Sequence, residues 1–166
     1  MDVDEPVVVV DYDPDWEVEA KEEIARLERA LADWHVQIEH IGSTAVPGCA
    51  AKPVVDLQVG VRSNEEQVVA EAIAQAGYES MGEAEPGRVY LRSRQGRNFN
   101  VHVIDVEGPH WRDNLALRDY LRSDAVARAD YSNAKKHAAS TEPMLLAYSR
   151  AKGPALAQLV KLIESH

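Results

Sequence analysis

One cysteine, one phenylalanine and no long apolar run set the first limits on this chain of 166 residues. Cys49 has no partner within the chain, so a disulfide framework is excluded and a reducing compartment is expected. The apolar runs fall far short of the roughly 18 residues that a spanning helix needs, and the acidic N-terminal residues lack the basic start of a secretory signal. The expected location is therefore the cytoplasm, with no membrane partner. No internal repeat is read, and a length of this order suits one domain over residues 1–166. Aromatics make up only 6%, but aliphatic residues are plentiful, which is a globular rather than a disordered composition.

Positive charge is also scarce. Asp and Glu number 28 against 18 Lys and Arg, and the excess is local. Residues 1–40 carry 13 acidic and 3 basic side chains, while residues 41–166 balance at 15 of each. Such a balance argues against general binding of duplex nucleic acid by counterion release, yet it leaves room for a local cationic pocket holding one phosphorylated small molecule.

What is present reads as an ordered series of elements. A four-valine strand-like stretch, residues 7–10, precedes Asp13 and Pro14, which suit the cap and first position of a helix. Trp16, Ala20, Ile24, Leu27 and Leu31 recur at helical spacing and leave the glutamates on a solvated outer face. Residues 36–41 alternate as a strand, and "PVVDLQVGV" does so more clearly, with Val55, Leu57, Val59 and Val61 on one face and Val54, Asp56, Gln58 and Gly60 on the other. Residues 64–76 predict a helix capped by Ser63 or Asn64 and ended by Gly77. "RVYLRSRQGRNFNVHVID" predicts a hairpin turning near Gln95 and Gly96, with Val89, Leu91, Phe99, Val101 and Val103 facing inward and His102 on the other face. Helices are expected at about 111–122, 124–139 and 143–165, with Pro154 starting or kinking the last. This order is α+β with a largely antiparallel or mixed sheet flanked by helices.

The stretch with chemical content is "EHIGSTAVPGCAAKPVVDLQVGV". Gly42 permits unusual dihedrals directly after a strand, and Ser43 and Thr44 add hydroxyls to the bend, a combination that suits an anion and equally suits a structural turn. Lys52 and Asp56 give it context: Lys52 can neutralise phosphate and Asp56 can hold a divalent cation, or the two can form an ion pair that closes the strand. His40 lies two residues before Gly42. Arg118 and Arg122 are four apart on one helix face, with Lys135 and Lys136 on the next helix; they suit phosphate contacts, and ion pairs on the helix surface, such as Asp119 with Arg122, are the competing account. A Ser/His/Asp hydrolase finds no GxSxG elbow, Cys49 reads as an inert thiol, and Trp16, Trp34 and Trp111 are too separated for a base-stacking platform.

"YDPDW", "EHIGSTAVPGCAAKPVVDLQVGV", "VHVI", "LRDYLRSDAVARADYSNAKKHA" and "YSRAKG" together resemble the GrpB (UPF0157) family, which is related to nucleotidyltransferases of the DNA polymerase beta type. The resemblance implies a nucleotidyltransferase-like sheet in which Gly42 and Ser43 stand at the phosphate grip and Asp56 matches the first catalytic carboxylate. It implies a nucleotide or other phosphorylated small molecule as ligand, with Mg2+ or Mn2+ as cofactor and Asp56 and His102 as metal-facing residues. In that superfamily a second carboxylate lies two residues on and a third comes from a later strand; here the second position is Gln58, a neutral amide that competes poorly with water at a hard cation. His102 is the residue offered by the later strand, and it suits a transition metal, or a phosphate when protonated. Two readings follow: a nucleotidyltransferase-like ligand-binding protein, or a non-catalytic ligand-sensing or protein-interaction module of the same fold. GrpB-like segments also occur joined to dephospho-coenzyme A kinase.

Overall fold

Val55, Leu57, Val59 and Val61 are at most 1% exposed, so the strand they form is covered on its apolar face along its whole length. The computed structural model describes residues 3–165 and places this strand, β2 (Val55–Val61), inside a five-stranded mixed sheet. Its neighbours are β1 (Gln37–Ile41), antiparallel to it, and β5 (Phe99–Asp105), parallel to it. β4 (Arg88–Ser93) pairs antiparallel with β5, and β3 (Glu79–Glu85) pairs with β4, giving the order β1-β2-β5-β4-β3.

Helices α1 (Asp15–Ala30) and α2 (Glu66–Gln75) cover the apolar face. Trp16, Ala20, Leu27, Val69 and Ile73 meet Val89, Leu91, Val101 and Val103 there, and this is the principal core. Three helices occupy the other side: α3 (Pro109–Ser123), α4 (Ala125–Thr141) and α5 (Leu145–Glu164). They build a second core from Val46, Cys49, Leu121, Tyr131 and Leu159. Among the described residues no helix is long and apolar enough to cross a membrane.

Strands β1, β2, β4 and β5, the 95–98 turn and the four helices other than α2 begin and end close to where the sequence places them, whereas β3 has no counterpart in the sequence reading. Four details differ. The valines at 7–10 form no strand, because only single bridges, Pro6 to Met144 and Val10 to Ala51, tie their segment down. Instead residues 4–10 lie as a strap: the Val7 amide donates to the Pro143 carbonyl at 2.7 Å, the Leu145 amide donates to the Glu5 carbonyl at 2.8 Å, and the Glu5 carboxylate pairs with Arg94 at 2.7 Å. Glu23 is not on a solvated face; it is buried and accepts from the Tyr78 hydroxyl at 2.8 Å and from Arg26. Neither Ser63 nor Asn64 caps α2, since Asn64 sits at φ 72° and Glu65 holds the N-cap position without a side-chain bond. Pro154 lies inside one continuous α5 rather than at its start.

Candidate functional site

Gly42 follows β1 at φ 74°, a left-handed conformation that L side chains rarely adopt, and turns the chain into a short 3-10 turn, Ser43–Ala45. The register sets Ile41 opposite Asp56, which brings the glycine against the aspartate. A Cβ at position 42 would lie 3.0 Å from Asp56 Oδ2. The bend and the aspartate therefore share one corner, and this corner opens into a cleft of ≈ 180 Å³ between the sheet and the C-terminal helices. Ser43, Lys52, Asp56, Tyr131, Lys135 and Lys152 are among its walls.

The cations converge here from three separate elements. Lys52 comes from the loop before β2, Lys135 from α4 and Lys152 from α5. Lys135 is 2% exposed; it donates to Ser43 Oγ at 2.5 Å and to the Ala50 carbonyl, with Cys49 Sγ at 3.5 Å. A hydroxyl that accepts from an ammonium keeps its own hydrogen for another acceptor, so Ser43 remains a donor toward the cleft. Burial pushes the Lys135 ammonium below its ordinary pKa, against the opposing pull of Cys49 and Asp56. Burial likewise brings Lys152 down to about 8, with repulsion from Lys52 adding to it and Asp56 opposing it.

Each helical lysine lies over a tyrosine of its own helix. Lys135 Nζ is 4.6 Å from the Tyr131 ring centroid and Lys152 Nζ is 5.1 Å from that of Tyr148. The spacing is i, i+4, which stacks the pair on one helix face. The signal that would have found both lysines is a recurrence: residues 131–135 read Tyr-Ser-Asn-Ala-Lys and residues 148–152 read Tyr-Ser-Arg-Ala-Lys. A pentapeptide that recurs on consecutive helices is short, but it marks the two faces that meet over the corner.

Asp56 is held by its neighbour across the parallel ladder. Asn100 is its register partner, and Asn100 Nδ2 donates to Asp56 Oδ1 at 3.0 Å. The amide orientation follows from the rest of the network, because the Tyr90 hydroxyl and Arg94 Nη2 both reach Asn100 Oδ1 at 2.9 Å. The residue facing Asp56 on the later strand is thus Asn100 and not His102, which pairs with Gln58 instead. His102 Nε2 stands 4.0 Å from Asp56 Oδ1, its ring stacks on Tyr90 at 5.2 Å, and its Nδ1 is buried without a partner. Burial holds its pKa down to about 4, so the ring is neutral near pH 7 and is no imidazolium for a phosphate.

The remaining candidates are placed less centrally. Thr44 is 2% exposed and its Oγ1 is 2.8 Å from His40 Nε2. Arg118 reaches the cleft, but its guanidinium is engaged by Glu39 at 2.8 Å, by Asp119 at 2.9 Å and by the His40 carbonyl at 3.2 Å. Arg122 turns away; its Nε donates to the Ala45 carbonyl at 2.9 Å and it lines a separate depression with Tyr12, His40 and Arg128. Among the described residues no ion pair joins Lys52 to Asp56.

Gln58 occupies the position of the second carboxylate, and it is sealed. It is 0% exposed, its Nε2 donates to the Trp111 carbonyl at 3.4 Å, and Asn114 Nδ2 donates to its Oε1 at 2.9 Å. Gly60, two residues on, admits the Trp111 ring, since a Cβ there would lie 2.8 Å from it. A pair of divalent ions needs several anionic oxygens converging on it. Here Asp56 supplies one carboxylate, an amide N–H faces it from Asn100, and the next position is under α3. Among the described residues no group of three or more His, Cys, Asp or Glu side chains could hold a metal ion. The donor set does not fit a two-metal centre.

The family model described as GrpB protein matches residues 6–162. The chain belongs to the GrpB family. A UPF0157 protein of Streptomyces coelicolor is 42% identical over 128 residues, covering 76% of this chain and 67% of its own length. The crystal structure of the conserved protein GrpB from Enterococcus faecalis superposes with a TM-score of 0.79 at 31% identity, covering 93% of this chain and 98% of that one. Outside the GrpB proteins, a structure of the Cid1 poly(U) polymerase bound to MgATP gives a TM-score of 0.56 at 14% identity, over 78% of this chain and 44% of that one. At that identity the likeness is one of fold, and it is nucleotidyltransferase-like. A protein named dephospho-CoA kinase from Mycolicibacterium paratuberculosis is 32% identical over 161 residues, and this GrpB chain spans only 40% of it.

Proposed function

We propose that this GrpB chain binds a phosphorylated small molecule, a nucleotide foremost, in the cleft between the Gly42–Ser43 corner and the helices α3–α5. The observation that carries the reading is the convergence of Lys52, Lys135 and Lys152, from three elements, on one cleft in which Lys135 donates to the hydroxyl of Ser43. Three ammonium groups in one half-buried cleft repel one another and raise the energy of the free protein, and an anion relieves that cost. The apolar walls, with Leu117, Tyr131 and Tyr148 among them, suit the organic part of such a ligand. The nucleotidyltransferase-like fold supports a nucleotide over other phosphorylated compounds by analogy of architecture. Coenzyme A precursors belong beside nucleotides as candidates, because a related segment forms two-fifths of a dephospho-CoA kinase.

The role assigned is binding rather than turnover. Phosphoryl transfer on two metal ions has no support in a site where Gln58 is enclosed by Trp111 and Asn114. That enclosure favours the second reading, a ligand-sensing or protein-interaction module that keeps the fold and the phosphate grip.

A thermal-shift screen of nucleotides and coenzyme A precursors, each with and without Mg2+ or Mn2+, tests the proposal. A ligand present at 100 times its Kd stabilises the native state by about 2.7 kcal/mol, which a melting curve resolves. The stabilising compounds are expected to be phosphorylated, and Lys152→Gln is expected to diminish the shift. Equal shifts from the unphosphorylated nucleosides, or none from any compound, would remove the reading.

A further inference from the structure

We propose that the cleft takes its phosphorylated ligand as a metal-free anion, with the ammonium groups of Lys52, Lys135 and Lys152 supplying the counter-charge that divalent ions supply in two-metal transferases. The inference rests on the binding reading above and adds the ionic state of the ligand.

Two features of the site disfavour a bridging dication and a third replaces it. Asp56 Oδ1 already accepts from Asn100 Nδ2 at 3.0 Å, and that amide is locked by Tyr90 and Arg94, so the N–H cannot be exchanged for an oxygen by a flip. Asp56 Oδ2 faces the Gly42 bend, so the corner offers one carboxylate, with one oxygen already bonded, where a bridging pair of ions draws on several. A divalent ion placed at Asp56 would also sit in the field of three lysines, and among the described residues neither Lys52 nor Lys152 forms an ion pair that would cancel its charge. Lys135 is fixed by Ser43, Ala50 and Cys49 and therefore cannot swing away to make room.

The sign of one substitution separates the two modes of binding. In a metal-bridged site the Asp56 carboxylate is the anchor, and removing its charge abolishes binding. In a metal-free site the same carboxylate repels the ligand, and removing its charge strengthens binding. Asp56→Asn keeps an oxygen that accepts from Asn100, so the corner retains its packing.

Isothermal titration calorimetry with inorganic pyrophosphate and with ADP, on the full chain in excess EDTA and again in excess Mg2+, provides the test. Binding in EDTA at least as tight as in Mg2+, tightened roughly threefold or more by Asp56→Asn and weakened by a similar factor by Lys152→Gln, is the expected result. Binding that appears only with Mg2+, or that Asp56→Asn abolishes, overturns the metal-free mode and leaves the phosphate-binding reading intact. Absence of binding by both probes under both conditions overturns both. Circular dichroism of each variant establishes that it is folded, and a variant that melts before the titration is replaced by Asp56→Ser or Lys152→Met.

Discussion

Asp56 and Gln58 stand two residues apart on one face of β2, yet the first looks into a cleft lined by lysines and the second lies beneath α3 with no solvent contact. The difference comes from what each meets across the sheet. Asp56 meets a glycine bend and an asparagine, both small, and the helices stop short of it. Gln58 is followed by Gly60, and that missing side chain lets Trp111 drop onto the strand and close it off. In one stretch a glycine borders an open cleft, and in the other a glycine makes room for a tryptophan. A sheet face is thus divided into an open half and a packed half by the size of alternate residues.

Trp111→Ala should break this division most strongly. The ring is 6% exposed, and its loss is expected to cost about 3–5 kcal/mol by chemical denaturation, with the Gln58 half of the face opened to water. Gln58→Glu sharpens the contrast from the other side. Among the described residues the side chain at 58 is bonded by the Trp111 carbonyl and Asn114 and by no cation, so a carboxylate there is expected to cost roughly 2–4 kcal/mol, with no gain in Mn2+ binding by calorimetry. Gly42→Ala forces a Cβ into the left-handed region and to 3.0 Å from Asp56 Oδ2; about 1–3 kcal/mol of stability should be lost, together with binding of pyrophosphate.

The effects of pH are read by their sign. Lys152 has its folded pKa depressed to about 8, below its unfolded value, so its contribution to stability increases as pH rises from about 8 toward the ordinary lysine range. Anion binding has the opposite sign, because binding favours the charged form; affinity for pyrophosphate should decline as pH passes above 8, and Lys152→Gln should flatten that decline. On the acid side His40 and His102, both held near 4 by burial, stay neutral while their unfolded counterparts take up protons. Stability should then fall as pH drops from 6.5 toward about 4, as read from denaturation midpoints.

The apolar skeleton was legible because its signal is periodic. The apolar residues of β2 and β4 alternate, those of β5 do so up to Ile104, and α1 repeats at helical spacing, so the sequence marks the face that builds the principal core, although the other face of β2 and β5 is largely buried as well. β3 escaped notice since its seven residues, ESMGEAE, are nearly all exposed and leave no alternation to read. The valines at 7–10 have strand propensity, but their segment is held by single bridges to Met144 and Ala51 and joins no ladder, so tertiary context decided against propensity. Within the site, Gly42, Ser43, Lys52 and Asp56 lie in one continuous motif and could be read together. In the sequence Lys135 reads only as a cation of its helix, and Lys152 and Asn100 are not singled out; the Tyr-Ser-x-Ala-Lys recurrence marks the two helix faces, but their meeting at the corner depends on how α4, α5 and β5 are placed. The arginines at 118 and 122 illustrate the reverse: their spacing and the Asp119–Arg122 pair, 3.9 Å apart in the structure, were read from the sequence, while Glu39 and the Ala45 carbonyl belong to the packing.

The strap at residues 4–10 has a mechanical meaning for this arrangement. It fastens the α4–α5 corner at Pro143 and Leu145 to Arg94 through Glu5, and it reaches Ala51 beside the cleft through Val10. Arg94 in turn holds Asn100, which holds Asp56. The jaw carrying Lys152 and the fixed jaw carrying Asp56 are therefore buckled together by a ribbon that touches no ligand, and clipping that ribbon would change the grip without altering any of the fingers.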